Sequence, residues 1–162
     1  MAKKKNRKIL PLMMALIVVV LGSILFVGAA SGWFDNHKVK LDAEYYADGA
    51  EFMELTAGEY EGLIEAKKSF VVMVDQSGCT TADRLREYVT RYMTETGILV
   101  YRMMFAEVKE SSLHEKVKYY PSVAVASKGK VVAYLRADEN ADADKYNDYD
   151  AFKKWMDGIL QK

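Results

Sequence analysis

Residues 69–79 read SFVVMVDQSGC, an unbroken apolar run that ends on Asp75 and passes through Gln76-Ser77-Gly78 to Cys79, the one cysteine of the chain. A β-branched run without polar alternation suits a strand covered on both faces, the condition of a central strand in a largely parallel sheet. The elements on either side are helical. Upstream, Glu51–Leu55 (EFMEL) is a short strand candidate, and Thr56-Ala57-Gly58-Glu59 is a capping box in which hydroxyl and carboxylate satisfy the orphan amides of a helix start. Tyr60, Leu63 and Ile64 follow at helical spacing, and Lys67 and Lys68 suit the helix carboxyl end. Downstream, Leu85, Tyr88, Val89, Tyr92 and Met93 form one apolar stripe over Ala82–Thr96, with Arg84, Arg86, Glu87 and Arg91 on the solvent side and Gly97 placed to end the helix.

Further along, Ile98–Val108 contains another strand, and Ser112-Leu113-His114-Glu115 reads as a second capping box opening a short helix. Pro121 precedes the strand Ser122–Ala126, and Ser127-Lys128-Gly129 is a turn joining it to the strand Lys130–Arg136 as a hairpin. Ala151, Phe152, Trp155, Met156, Ile159 and Leu160 give a closing amphipathic helix. Strands alternating with helices and ending in a hairpin predict an α/β architecture, a central mixed sheet flanked by helices.

The chain of 162 residues is 51% hydrophobic, ample for one packed domain and an appendage. Its net charge of zero is an average of unlike parts. Residues 1–34 carry Lys3, Lys4, Lys5, Arg7 and Lys8 with no acid, so of 23 basic and 23 acidic residues the remainder holds 18 and 23. Residues 1–8 are a basic cytoplasmic tail, and residues 9–34 hold no charge at all. Such a stretch, as a helix of about 39 Å, crosses a hydrocarbon core of about 30 Å. The segment reads as a transmembrane signal-anchor with Trp33 and Phe34 at the interface. The basic block places the amino terminus in the cytoplasm and the domain outside it, on a single-pass protein of the cell membrane. Cleavage near Gly28-Ala29-Ala30 is the alternative, though the apolar run exceeds the about 7–15 residues of a signal-peptide core. Residues 35–50 read as a polar spacer and residues 51–162 as the domain.

The stretch ELTAGEYEGLIEAKKSFVVMVDQSGC, with YYPSVAVASKGKVVAYL later, resembles the thioredoxin-like superfamily over nearly all of residues 50–162, in its membrane-anchored bacterial form. A buried strand runs into a loop with a cysteine at the next helix start. A proline stands immediately before the penultimate strand, and a Lys-Gly turn joins the last two. The resemblance implies a cis peptide bond at Pro121, facing Cys79 as the reactive thiol; Tyr119 and Tyr120 before Pro121 offer a substrate-facing aromatic surface unless one of them is core, and Tyr120, Thr80 and Thr81 are the expected substrate contacts. A protein or peptide carrying a thiol or disulfide is then the partner.

The departures are specific. The family's Cys-x-x-Cys stands here as Cys79-Thr80-Thr81-Ala82, so the resolving thiol is absent. Gly78 replaces the usual tryptophan, and the family's buried aspartate position falls on Met73, with Asp75 two residues away. A helix amino terminus favours a thiolate. Against this, Thr80-Thr81-Ala82-Asp83 itself reads as a capping box, which leaves Cys79 one residue outside the helix and brings the Asp83 charge to the same end. Arg84 and Arg86 offset that charge only by turning back.

No cofactor and no metal is expected: one cysteine and two histidines do not build a thiolate or multi-histidine centre. His114 reads as solvated. The acidic stretch Asp138–Asp150 (DENADADKYNDYD) starts like a calcium loop, but Ala143 stands where the turn glycine belongs and Tyr149 where the bidentate glutamate belongs, so it reads as a solvated loop. The acidic domain argues against nucleic acid as a partner. Two functions fit: monothiol thiol-disulfide exchange through Cys79 with an external resolving thiol, and a non-catalytic thioredoxin-fold module that binds a peptide beside Pro121.

Overall fold

The structure, a computed structural model, describes residues 38–46 and 51–161; the expected basic tail 1–8, the expected membrane anchor 9–34, and residues 35–37, 47–50 and 162 lie outside these. Among the described residues no helix is long and apolar enough to cross a membrane. The elements in chain order are β1 (Met53–Glu54), α1 (Ala57–Glu65), β2 (Phe70–Asp75), α2 (Thr80–Thr96), β3 (Tyr101–Met104), α3 (Phe105–Lys109), β4 (Ser122–Ser127), β5 (Lys130–Tyr134), α4 (Ala143–Asn147) and α5 (Tyr149–Ile159). Single 3₁₀ turns lie at Ala43–Tyr45, Ser112–Glu115 and Asn140–Asp142.

Five strands form one sheet in the order β1-β3-β2-β4-β5. The strand β2 is central and buried along its whole length, as its unbroken apolar run requires. It runs parallel to β3, with Val72 opposite Tyr101 and Asp75 opposite Met104. It runs antiparallel to β4, with Phe70 opposite Ala126 and Val74 opposite Ser122. The hairpin β4–β5 turns through Lys128 and Gly129, both at positive φ. At Gly129 a Cβ would stand 2.3 Å from the Ile64 carbonyl oxygen, so only glycine lets this turn close on the end of α1. Its amide donates to the Lys68 carbonyl at 2.9 Å.

Local signals set most boundaries. The Thr56 hydroxyl accepts from the Glu59 amide and the Glu59 carboxylate accepts from the Thr56 amide, a complete capping box. The helix α2 ends at Gly97 in the left-handed conformation, its amide bonded to the Met93 carbonyl.

Three expectations need correction, and one boundary is sharpened. The described part of the spacer belongs to the domain: Val39, Leu41 and Tyr45 are buried in the core cluster. Val39 exchanges backbone hydrogen bonds with Ile159 and Gln161, and Leu99 donates to the Tyr45 carbonyl. A short apolar alternation among charges was enough to seat this segment against the end of α5. The strand expected within 98–108, shorter than the whole run, is Tyr101–Met104, because the chain turns helical at Phe105. Ser112 does not open a capping box; its amide and hydroxyl both donate to Glu61, and the turn begins after Ser111. The acidic stretch is not a solvated loop but folds as a 3₁₀ turn, α4 and the first turn of α5, with Asp142 buried.

Because Leu41 is enclosed, Leu41→Ala is expected to lower unfolding free energy by about 2–5 kcal/mol in urea titrations. A residue of a solvated spacer would change it by no more than about 0.5 kcal/mol.

Candidate functional site at Cys79 and Pro121

The sheet brings Cys79 and Pro121 to one end. The register Val74–Ser122 sets Pro121 beside the last residue of β2, from which the loop to Cys79 departs. Gly78, at φ +75°, turns that loop into the helix. Helix α2 begins at Thr80, so Cys79 itself is the cap residue, with extended backbone and no capping bond from its side chain. Its carbonyl accepts from the Asp83 amide at 3.0 Å. The expectation of a cap at Thr80 is thereby shifted by one residue. Cys79 is a free, half-buried thiol at the amino terminus of a helix of 17 residues. Thr80 is exposed and Thr81 half-buried on the first turn beside it.

The Tyr120–Pro121 peptide bond is cis. The Pro121 carbonyl accepts from the Tyr146 hydroxyl at 2.9 Å in a buried setting. The Tyr120 ring packs edge-on against Phe105, with centroids 4.8 Å apart. Its hydroxyl donates to the Val117 carbonyl at 3.1 Å and lies 2.9 Å from His114 Nδ1. The hydroxyl thus ties the Tyr120 side chain to both the Val117 carbonyl and the His114 ring. Burial pushes the Tyr120 phenol up. Tyr120 is therefore the inward member of the tyrosine pair, and Tyr119, 55% exposed, is the outward one. His114, expected to be solvated, is half-buried and partnered.

The charges around the thiol's helix are paired with each other. Asp75 is 2% exposed and takes a bidentate contact from Arg86, at 3.0 Å from Nε and 2.9 Å from Nη2. Arg102 Nη1 approaches the same carboxylate at 4.0 Å and its Nη2 reaches Glu54. Arg86 also donates to Asp83 at 3.0 Å. Hydrogen bonding to Asp75 is the main cause that raises the Arg86 guanidinium above its usual range. Arg86 thus does turn back, onto two carboxylates; Arg84 reaches Asn147 instead, at 2.6 Å. Sequence reasoning did not assign Asp75 a partner. The signal was an acid closing an apolar strand, with an arginine 11 residues on at the helix position that faces it.

On the far side of Pro121, Asp142 accepts from the Arg136 amide at 2.9 Å and guanidinium at 3.2 Å, and pairs with Lys145 at 3.2 Å. Among the described residues no group of three or more histidine, cysteine or acidic side chains is placed to hold a metal ion. Burial opposes ionisation of Asp142, but the hydrogen bonds from Arg136 and Lys145 outweigh it and hold its carboxyl below the usual 3.8.

A mutant thioredoxin from Halobacterium salinarum NRC-1 superposes with a TM-score of 0.54 at 14% identity, covering 72% of this chain and 96% of that one. The reduced Schistosoma mansoni thioredoxin pre-protein gives 0.52 at 13% identity, over 68% and 99%. The long form of spinach chloroplast thioredoxin f gives 0.51 at 11% identity, over 68% and 87%. No family model and no curated protein matches the sequence. The described domain has the thioredoxin fold, an α/β mixed sheet flanked by helices.

Two stability predictions follow from the paired charges. Breaking the buried pair with Arg86→Ala is expected to cost about 3–5 kcal/mol, whereas Asp75→Asn with Arg86→Met recovers most of that loss in the same urea titrations. For Asp142 the folded value is depressed, so its stabilisation is complete above pH 3.8 and lost as pH falls through the folded value. Asp142→Asn should lower stability at pH 7 by about 1–3 kcal/mol and flatten the acid limb of a stability profile measured from pH 2 to 7.

Proposed function

We propose that this protein is a membrane-tethered, extracytoplasmic thioredoxin-fold protein that exchanges thiol and disulfide through Cys79 alone. The observation that carries the reading is a half-exposed free thiol on the residue that starts a long helix, at the sheet end where cis-Pro121 stands. Tethering rests on the basic block Lys3–Lys8 followed by the uncharged run of residues 9–34.

In the exchange, the Cys79 thiolate attacks one sulfur of a partner disulfide, the sulfur–sulfur bond breaks, and one partner thiolate leaves. Cys79 is left in a mixed disulfide. With Ala82 in the position of a resolving cysteine, an external thiolate attacks the Cys79 sulfur and releases the second partner thiolate. A second external thiolate then frees Cys79 and leaves as the external disulfide. Two electrons pass from two external thiols to the partner, and Cys79 returns unchanged.

A second reading, peptide binding without turnover, is favoured by that same alanine, since a binding groove needs no thiol.

The full-length protein is expected to take up one equivalent of thionitrobenzoate from 5,5′-dithiobis(2-nitrobenzoic acid), to release it to glutathione, and to do so faster than an unstructured cysteine peptide. Cys79→Ser should abolish the uptake. A wild-type rate no greater than the peptide's would remove the exchange reading, and an unaltered cellular phenotype in Cys79→Ser would favour the binding module. A tag after Lys162 should be accessible from outside intact cells, and protection there overturns the orientation.

A further inference from the structure

We infer that α4, in the acidic stretch between β5 and α5, is a positioning element of the thiol site, and that Tyr146 fixes the Pro121 loop relative to the helix that carries Cys79. The inference rests on the exchange reading for its consequence, though not for its geometry.

Two consecutive side chains of this short helix reach two different elements, the Pro121 loop and α2. The Tyr146 hydroxyl donates to the Pro121 carbonyl at 2.9 Å, and the residue is 6% exposed. Asn147 accepts from Arg84 of α2 at 2.6 Å. The Asn147 amide nitrogen donates to the Ala143 carbonyl at 2.8 Å, which leaves its oxygen turned to Arg84. Burial, and then the charges of Asp142 and Asp138, push the Tyr146 phenol up, so the hydroxyl remains a donor throughout the neutral range.

The helix α4 is itself held in place. Asp142, immediately before it, is bonded to the Arg136 amide and side chain just beyond β5, and Lys145 within it pairs with Asp142 and Asp144. A bracket of hydrogen bonds therefore runs from the end of β5 to the Pro121 loop on one side and to α2 on the other. Without the Tyr146 hydroxyl the buried Pro121 carbonyl loses its donor, and the loop relieves that loss by moving toward water.

The bracket bears on exchange because this chain has no resolving thiol, so a peptide partner stays in mixed disulfide until an external thiol arrives. Its hold in that interval depends on the walls and not on a second sulfur. A small disulfide needs only the thiol, whereas a peptide disulfide needs the thiol and the wall together. Tyr146 is accordingly a positioning residue that selects for peptide partners.

The test compares two disulfides with one leaving group on full-length protein: 5,5′-dithiobis(2-nitrobenzoic acid) itself, and a ten-residue peptide whose single cysteine is disulfide-linked to thionitrobenzoate. The readout is the ratio of the peptide rate to the reagent rate. Tyr146→Phe, which keeps the ring, should lower this ratio about tenfold, and Asn147→Ala, on the exposed side, about threefold. Hydrogen exchange followed by mass spectrometry should show faster exchange over residues 117–124 in Tyr146→Phe. A ratio within twofold of wild type in both variants overturns the inference, even where the melting temperature falls, since a purely structural residue would do that. If wild-type protein reacts with neither disulfide, the exchange reading fails. Hydrogen exchange then decides the bracket alone: unchanged protection over 117–124 overturns it, and faster exchange supports it.

Discussion

The whole domain is arranged around one constraint, that β2 is hydrogen-bonded on both edges and covered on both faces. A strand in that position admits no charge along its length, and Phe70 to Val74 are apolar and buried. The first charge comes at its end, and there it is expensive: removing a lone carboxylate from water costs several kcal/mol after relaxation. Arg86 meets that requirement with two hydrogen bonds, and meeting it pins the first turns of α2 to the end of the sheet. The place of Cys79 follows from this contact. It is the residue between a strand end that must bury its acid and a helix that must supply the base.

The same contact settles the electrostatics at the helix start. Asp83 lies on the first turn, but Arg86 spans Asp75 and Asp83, so neither carboxylate faces the thiol without a compensating cation. Arg102 extends the arrangement across the sheet to Glu54 on β1. Charges alternate in sign from the outer strand to the helix, and each arginine is shared between two acids. Such sharing is stable only while every member is present, which is why removing one partner is far worse than replacing both.

The sequence made legible what is local. The apolar run of β2, the Thr56–Glu59 capping box, the one-faced stripe of α2 and the proline before β4 each carry their signal within a few residues. What escaped depends on partners far along the chain. Val39 and Leu41 look solvated among lysines until the end of α5 is laid beside them. Asp142 looks like one acid among many until Arg136 and Lys145 enclose it. Tyr146 carries no periodic signal at all, and its partner is Pro121, 25 residues earlier. The one-residue error at α2 has a different origin: threonine is a good capping residue and cysteine is not, so preference named Thr80 while the Gly78 turn delivered Cys79 to the cap.

Position 82, where a resolving cysteine would stand, holds alanine. Ala82 is fully enclosed, on the face of α2 that packs into the core. Cys79 and Ala82 are three residues apart and so share a side of the helix, yet one is half-exposed at the cap and the other is sealed one turn in. At this end of the sheet the thiol within reach of a partner is therefore Cys79, the one cysteine of the sequence. In the exchange reading, that exposure difference assigns the second thiol to another molecule, and it places selectivity in the walls beside Cys79 and not in a second cysteine beneath it.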